Sequence, residues 1–280
     1  MRVLAFGDSL TAGYYQSGAK FAPWAPLLAK LLDLGTIDHI GMSGFTTGEM
    51  VECLDSEAVT DCVPRTWPGL RHKLNSSALR YDAVLILGGT NDLADKVSTG
   101  TLVENLASLH RVAHEHGAKT VAMTIPESHA ALRVPWLGRA REEANAAVRS
   151  WAAAQPPQRV RLVEAATIVP FSEDQQPRLW EPDGLHMSAK GYEAFGRGLA
   201  RMLVDYLRAE PSTHTPSGGV GASDVQTAGT AVRIDGLKGA PQHNGKTGRL
   251  AGRAGREGRV GVVLDDGHVL SVRRENVILL

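Results

Sequence analysis

Phe6-Gly7-Asp8-Ser9-Leu10-Thr11-Ala12-Gly13-Tyr14 is the stretch on which the reading of this chain turns. It follows an apolar run, Val3-Leu4-Ala5-Phe6, with the composition of a buried strand. Gly7, Asp8 and Ser9 break that strand. A serine on a sharp turn just past a strand is pushed out of the sheet as an exposed nucleophile. The same residue types also cap a helix after a turn. Three further clusters, each placed just past an apolar run, favour the first reading.

Working outward, helical spacing runs over 21–34 through Phe21, Trp24, Leu27, Leu28, Leu31 and Leu32, with Gly35 as the stop. A strand at 36–40 is broken by Gly41-Met42-Ser43-Gly44, and Thr46 and Glu49 then stand at capping-box spacing. The run 82–87 contains Val84-Leu85-Ile86-Leu87 and ends in Gly88-Gly89-Thr90-Asn91-Asp92, where Asp92 reads as a helix-start cap. A helix is expected at 102–116, a strand at 119–125, a helix at 137–154 and a strand at 159–165. Glu181-Pro182-Asp183-Gly184-Leu185-His186-Met187-Ser188 then leads into a last helix to about 208, capped by Ser188. Five alternations of strand and helix demand a mostly parallel sheet covered on both faces. Right-handed crossovers put all strand C-termini on one edge, where ligands bind. Topology therefore gathers Ser9, Gly44, Asn91, Asp183 and His186.

Gly7-Asp8-Ser9-Leu10, Gly41-x-Ser43-Gly44, Gly89-Thr90-Asn91-Asp92 and Asp183-Gly184-Leu185-His186 resemble, in order and in strand context, the four sequence blocks of the SGNH, or GDSL, hydrolases. The resemblance covers the first three quarters of the chain. It implies an α/β fold, flavodoxin-like and three-layered (α/β/α), with a five-stranded parallel sheet, and it implies ester hydrolysis. It also implies roles: Ser9 the nucleophile, His186 the general base, Asp183 its orienting partner. The backbone N–H groups of Ser9 and Gly44 and the side-chain amide of Asn91 would form the oxyanion hole. Each role has its own chemistry. A serine hydroxyl is weak until a base takes its proton. Histidine both accepts and returns a proton near neutrality. An aspartate fixes its tautomer, and fixed donors stabilise the oxyanion of an attacked ester. No cofactor or metal is called for.

The chain has 280 residues, 43% of them hydrophobic, with 30 basic and 30 acidic side chains, so bulk charge points to no particular partner. No apolar run is long enough to span a bilayer, and the turn at Gly7 leaves no room for a signal-peptide core, which gives a cytoplasmic expectation and leaves organelle targeting open. Cys53 and Cys62 are expected as reduced thiols, a local disulfide being the minority reading. His110 and His114 have metal-ligand spacing but read better as a solvated helix face, and Arg249, Arg253, Arg256 and Arg259 as a solvated loop.

Residues 1–209 read as the catalytic domain and 210–227, rich in Pro, Ser, Thr and Gly, as a flexible linker. Residues 228–280 read as a small β-barrel module, with β-type runs at 231–234, 260–264, 269–272 and 277–280 and hairpin signals at Asn244-Gly245 and Asp266-Gly267. This module, with nine basic against five acidic residues, resembles SH3-like barrels. Such modules bind peptides, glycans or nucleic acid, or pack on their own catalytic domain. The function read here is thus a serine esterase taking a small-molecule ester of short acyl chain. Lysophospholipase, thioesterase and carbohydrate acetylesterase activities differ only in substrate. A protein of another class, binding through the terminal barrel with the hydrolase domain as scaffold, is disfavoured by the intact blocks. Phe21, Trp24, Leu132, Val134 and Trp136 are candidates for lining an acyl site, or for ordinary packing.

Overall fold

The computed structural model describes residues 1–35, 37–78, 80–208, 231–237, 241–255, 259–265, 269–273 and 276–279. They fall in two compact units, Met1–Ser212 and Thr213–Leu280. The linker expected at 210–227 lies outside the described residues.

The first unit is built on five strands: β1 (Val3–Gly7), β2 (Ile37–Gly41), β3 (Ala83–Leu87), β4 (Lys119–Met123) and β5 (Val160–Val163). Alternate side chains feed two cores. Val3 and Ala5 of β1 join one apolar cluster, Leu4 and Phe6 the other; Leu85 and Leu87 of β3 oppose Val84 and Ile86 in the same way. Both strands are buried along their whole length, which is why they are almost wholly apolar. All pairings are parallel, in the order β2-β1-β3-β4-β5. This is the flavodoxin-like order, with its switch point between β1 and β3.

Helices cover both faces. The first cluster takes Leu28 and Ala29 from α2 (Ala25–Leu32), and Phe195, Leu199 and Leu203 from the long last helix (Ala189–Arg208). The second takes Met50 from α3 (Thr47–Glu52), with Leu102, Leu106, Leu109, Ala144 and Val148 from the helices Thr99–Glu115 and Pro135–Ala153. The capping box at Thr46 and Glu49 is present. Thr99–Glu115 begins three residues earlier than periodicity suggests because Ser98 accepts from the Thr101 N–H at 3.2 Å. The helix expected over 21–34 is shorter than expected. Phe21 belongs to a two-residue hairpin against Tyr14, and the helix ends at Asp33, which itself takes the left-handed conformation. No helix among the described residues is long and apolar enough to cross a membrane.

His110 is not solvated. It is buried, and its Nδ1 lies 2.8 Å from Thr120 Oγ1, which His114 Nε2 approaches at 3.0 Å. Burial pushes both imidazoles down, His110 to about 3 and His114 to about 4, so both are neutral and structural at physiological pH. Among the described residues no cluster of three or more His, Cys, Asp or Glu is placed to hold a metal. Cys53 and Cys62 are free thiols.

The second unit is an antiparallel sheet of β6 (Ala231–Ile234), β7 (Thr247–Gly255), β8 (Arg259–Leu264), β9 (Val269–Arg273) and β10 (Val277–Leu279), in the order β9-β8-β7-β6-β10. Val232, Ile234, Leu250, Val262, Leu264 and Val272 form its core. The glycine- and arginine-rich stretch expected as a loop is strand β7 from Thr247 to Gly255, irregular between Leu250 and Ala254. Its glycines hid it, and one of them is required there: a Cβ on Gly248 would stand 2.3 Å from Val263 O. Arg256 and Asp266-Gly267 lie outside the described residues.

Candidate active site

β1 ends against β3. The Asp8 N–H donates to Leu87 O at 3.3 Å, and a Cβ on Gly7 would meet that same oxygen at 2.0 Å, so glycine is needed where the strands close. Asp8 Oδ1 accepts from the Leu10 N–H at 2.9 Å and caps α1 (Ser9–Ala12), whose first residue is Ser9. Burial pushes the Asp8 carboxyl up to about 7; the Leu10 N–H and nearby His186 oppose this rise, and Asp92 adds to it.

Ser9 Oγ lies 2.9 Å from His186 Nε2, across 177 positions of sequence. His186 Nδ1 lies 2.8 Å from Asp183 Oδ2. Burial alone would raise the Asp183 carboxyl; hydrogen bonds from the His186 ring and from the backbone of His186 and Leu185 outweigh it and hold the group below the usual carboxylate range. An ionised carboxylate can only accept, so the Nδ1 proton points to Asp183 and Nε2 is left to accept from the Ser9 hydroxyl. The loop that carries the pair is fixed at both ends. Trp180 bridges Met187, the Glu181 N–H donates to His186 O at 2.8 Å, and the His129 N–H donates to Gly184 O at 2.7 Å. Gly184 has φ +63°, and a Cβ there would press on His129. The Tyr14 ring lies 4.2 Å, centroid to centroid, from the imidazole.

Gly44 and Asn91 follow the neighbouring strands β2 and β3. Gly44 has φ +83°, and a Cβ would stand 3.0 Å from Cys62 Sγ. Asn91, in α4 (Thr90–Ala94), donates one amide hydrogen to Phe45 O at 2.8 Å, which ties it to the Gly44 loop and leaves its second hydrogen available. Asp92 does not cap α4, whose N-cap is Gly89. Asp92 is fully buried and accepts from both the N–H and the hydroxyl of Thr47, which locks α4 to α3.

Sequence reasoning missed Asp61, whose buried carboxylate organises the loop beside Gly44. It accepts from the N–H groups of Ser43 (3.2 Å), Val63 (3.1 Å) and Arg65 (2.9 Å), from Trp67 Nε1 (3.1 Å) and from the Arg65 guanidinium (3.1 Å). Its partners are mostly backbone, so no side-chain spacing announces it. Burial would raise its pKa; these donors together win and depress it. A depressed folded-state pKa stabilises the fold above the unfolded carboxylate value, near ~3.9, and that contribution is lost as pH falls through the folded value. Asp61→Ala is expected to cost about 1–3 kcal/mol at pH 7, because the N–H groups of Ser43 and Arg65 and the Trp67 indole lose their acceptor. Denaturant titrations at pH 7 and pH 3 check this: the gap between wild type and variant narrows at pH 3, and a constant gap refutes it.

A cavity of about 260 Å³ opens beside Asn91 and Asp183, lined by Leu10, Leu93, Ile125, Leu137 and Leu185 among others. Trp24 is not part of it; it is core, with Nε1 donating to Leu10 O at 3.2 Å. Phe21 lies under the Arg65 guanidinium at 3.7 Å. Leu132 and Trp136 are exposed and outside the cavity's lining.

The sequence model of the GDSL-like lipase/acylhydrolase family matches residues 5–194. No curated relative matches the chain in sequence. Among solved structures, the chain is similar to the lipase/acylhydrolase from Enterococcus faecalis, at 25% identity and TM-score 0.51, over 72% of this chain and 95% of that one. A carbohydrate acetylesterase family member from Sinorhizobium meliloti shares the fold at 21% identity and TM-score 0.53, over 74% and 98%. A family 3 carbohydrate esterase from Clostridium thermocellum does so at 19% and 0.53, over 74% and 96%. With the family matched across more than half of its length, the chain belongs to the GDSL-like lipase/acylhydrolases and is a hydrolase of ester substrates.

Proposed function

We propose that the protein hydrolyses carboxylic esters of short acyl groups through an acyl-enzyme on Ser9. The observation that carries this reading is the continuous relay Ser9 Oγ–His186–Asp183, at 2.9 and 2.8 Å. Ser9 Oγ attacks the ester carbon as His186 Nε2 takes its proton, and Asp183 supports the imidazolium. The carbonyl oxygen, now an oxyanion, accepts from the N–H groups of Ser9 and Gly44 and from the Asn91 amide. Collapse of this intermediate breaks the ester C–O bond, and His186 returns the proton to the leaving alcohol. Water, deprotonated by His186, then releases the acid and restores Ser9.

The cavity of about 260 Å³ supports a short acyl group, since pockets for drug-sized ligands begin near ~300 Å³. Likeness to carbohydrate esterases adds acetylated sugars to the candidate substrates. A panel of nitrophenyl acetate, hexanoate and laurate, an acetylated sugar and an acyl thioester tests the reading. Acetate and hexanoate are expected to turn over at least about tenfold faster than laurate; preference for laurate would favour a long-chain lipase instead. We also infer that 228–280 is an SH3-like module joined to a 1–209 catalytic domain through 210–227. In its support, five antiparallel strands run in the order β9-β8-β7-β6-β10, so that the last strand returns across the sheet to pair with the first, β6. Limited proteolysis confined to 210–227 would bear this out, and cuts spread through either unit would not.

A further inference from the structure

The cavity beside the relay carries a charge that a plain hydrocarbon chain does not need. Arg141 lines it, yet the residue is only 6% exposed. Its Nε donates to the carbonyls of Ile125 and Pro126 at 3.2 and 2.9 Å, and its Nη1 to Glu142 Oε1 at 2.5 Å. Among the described residues Nη2 has no hydrogen-bond partner. A guanidinium offers five N–H donors in a fixed fork, and those on Nη2 are not sealed from solvent, so they are free to meet a ligand's acceptor. Neither carboxylate in the lining is ion-paired with Arg141: Glu127 Oε2 accepts from the Phe171 N–H at 3.0 Å and Asp183 holds His186, while the carboxylate paired with Arg141 is that of the exposed Glu142. Most of the remaining wall is apolar, through Leu93, Ile125, Ala131, Leu137 and Leu185.

We propose that this cavity takes an acyl group ending in a carboxylate, as in the half-ester of a dicarboxylic acid, with Arg141 binding the far carboxylate. The proposal rests on the reading of Ser9 as the ester-cleaving nucleophile and adds the substrate class. Asn91 and Asp183, the latter bonded to His186, line the same cavity as Arg141. The apolar wall holds the methylenes. The Nε bonds to two carbonyls fix the guanidinium plane before substrate arrives, so little side-chain freedom is lost on binding. A planar fork matches a carboxylate in a way that an ammonium does not.

The test compares two umbelliferyl esters of equal carbon number, the neutral hexanoate and the singly charged hemi-adipate. Wild type is expected to show kcat/KM at least about tenfold higher for hemi-adipate, chiefly through KM, because one charge-assisted pair supplies that much selectivity. Arg141→Met is expected to reverse the preference and Arg141→Lys to retain part of it. Because Arg141 also holds the Ile125 and Pro126 carbonyls, only the ratio of the two substrates is read in the variants, and the wild-type ratio stands without any variant. Equal or better hydrolysis of hexanoate by wild type overturns the carboxylate proposal and leaves Ser9 as nucleophile. Failure to cleave either ester overturns both.

Discussion

Ser9→Ala is expected to lower kcat/KM for a short-chain ester by on the order of 10⁴- to 10⁶-fold while leaving the thermal midpoint nearly unchanged. The loss is large because, in the proposed reaction, the hydroxyl is the atom that attacks, and His186 has no other proton to take. The fold tolerates the change because, among the described residues, the Ser9 side chain makes a single hydrogen bond, to His186 Nε2, and the cap of α1 belongs to Asp8. Alanine is also a good helix former at the first position of α1. Initial rates and a thermal melt of the purified variant check both halves. Turnover like wild type would remove the nucleophile from the account. A collapse in the melt would show that the serine supports the turn.

Asp183→Asn is expected to lower kcat by about 10⁴-fold, with KM little changed. Asp183 Oδ1 accepts from the N–H groups of Leu185 and His186, both at 2.9 Å. An asparagine oxygen keeps those two bonds, and the loop with them. Its amide hydrogens then face His186 Nδ1, which must become the acceptor. The ring proton moves to Nε2, where it blocks proton transfer from Ser9. Steady-state rates on a nitrophenyl ester settle this. A loss of tenfold or less would mean that Asp183 only anchors the loop.

The sheet was legible because its strands are short, apolar and punctuated. Val84-Leu85-Ile86-Leu87 cannot satisfy a half-exposed position, and Gly7, Gly41 and Gly89 mark where the backbone must turn or close on a neighbour. Three of the four blocks directly follow β1, β2 and β3, whose ends parallel topology brings together, whereas the block of Asp183 and His186 lies beyond β5 and the helix Gln176–Leu179 and was legible only through the resemblance. What stayed hidden has specific physical reasons. Asp61 works through backbone donors, which leave no side-chain pattern. Arg141 sits in a polar-looking helix and is buried only because Ile125 and Pro126 turn their carbonyls toward it. His110 had the spacing of a solvated face, but Thr120 and Trp151 cover it. Strand β7 was lost because Gly248 and its neighbouring arginines imitate a loop. Trp24, readable from sequence as an acyl-site residue or as ordinary packing, is core, against Phe195.

The most direct test of the account is to expose the protein to a fluorophosphonate, which reacts with a serine only where a base and an oxyanion hole activate it. Peptide mass spectrometry should then find one adduct, on Ser9, formed at a rate that falls steeply in Asp183→Asn. An adduct on any other serine, or none under conditions in which the ester is hydrolysed, would contradict the assignment of Ser9 as the nucleophile.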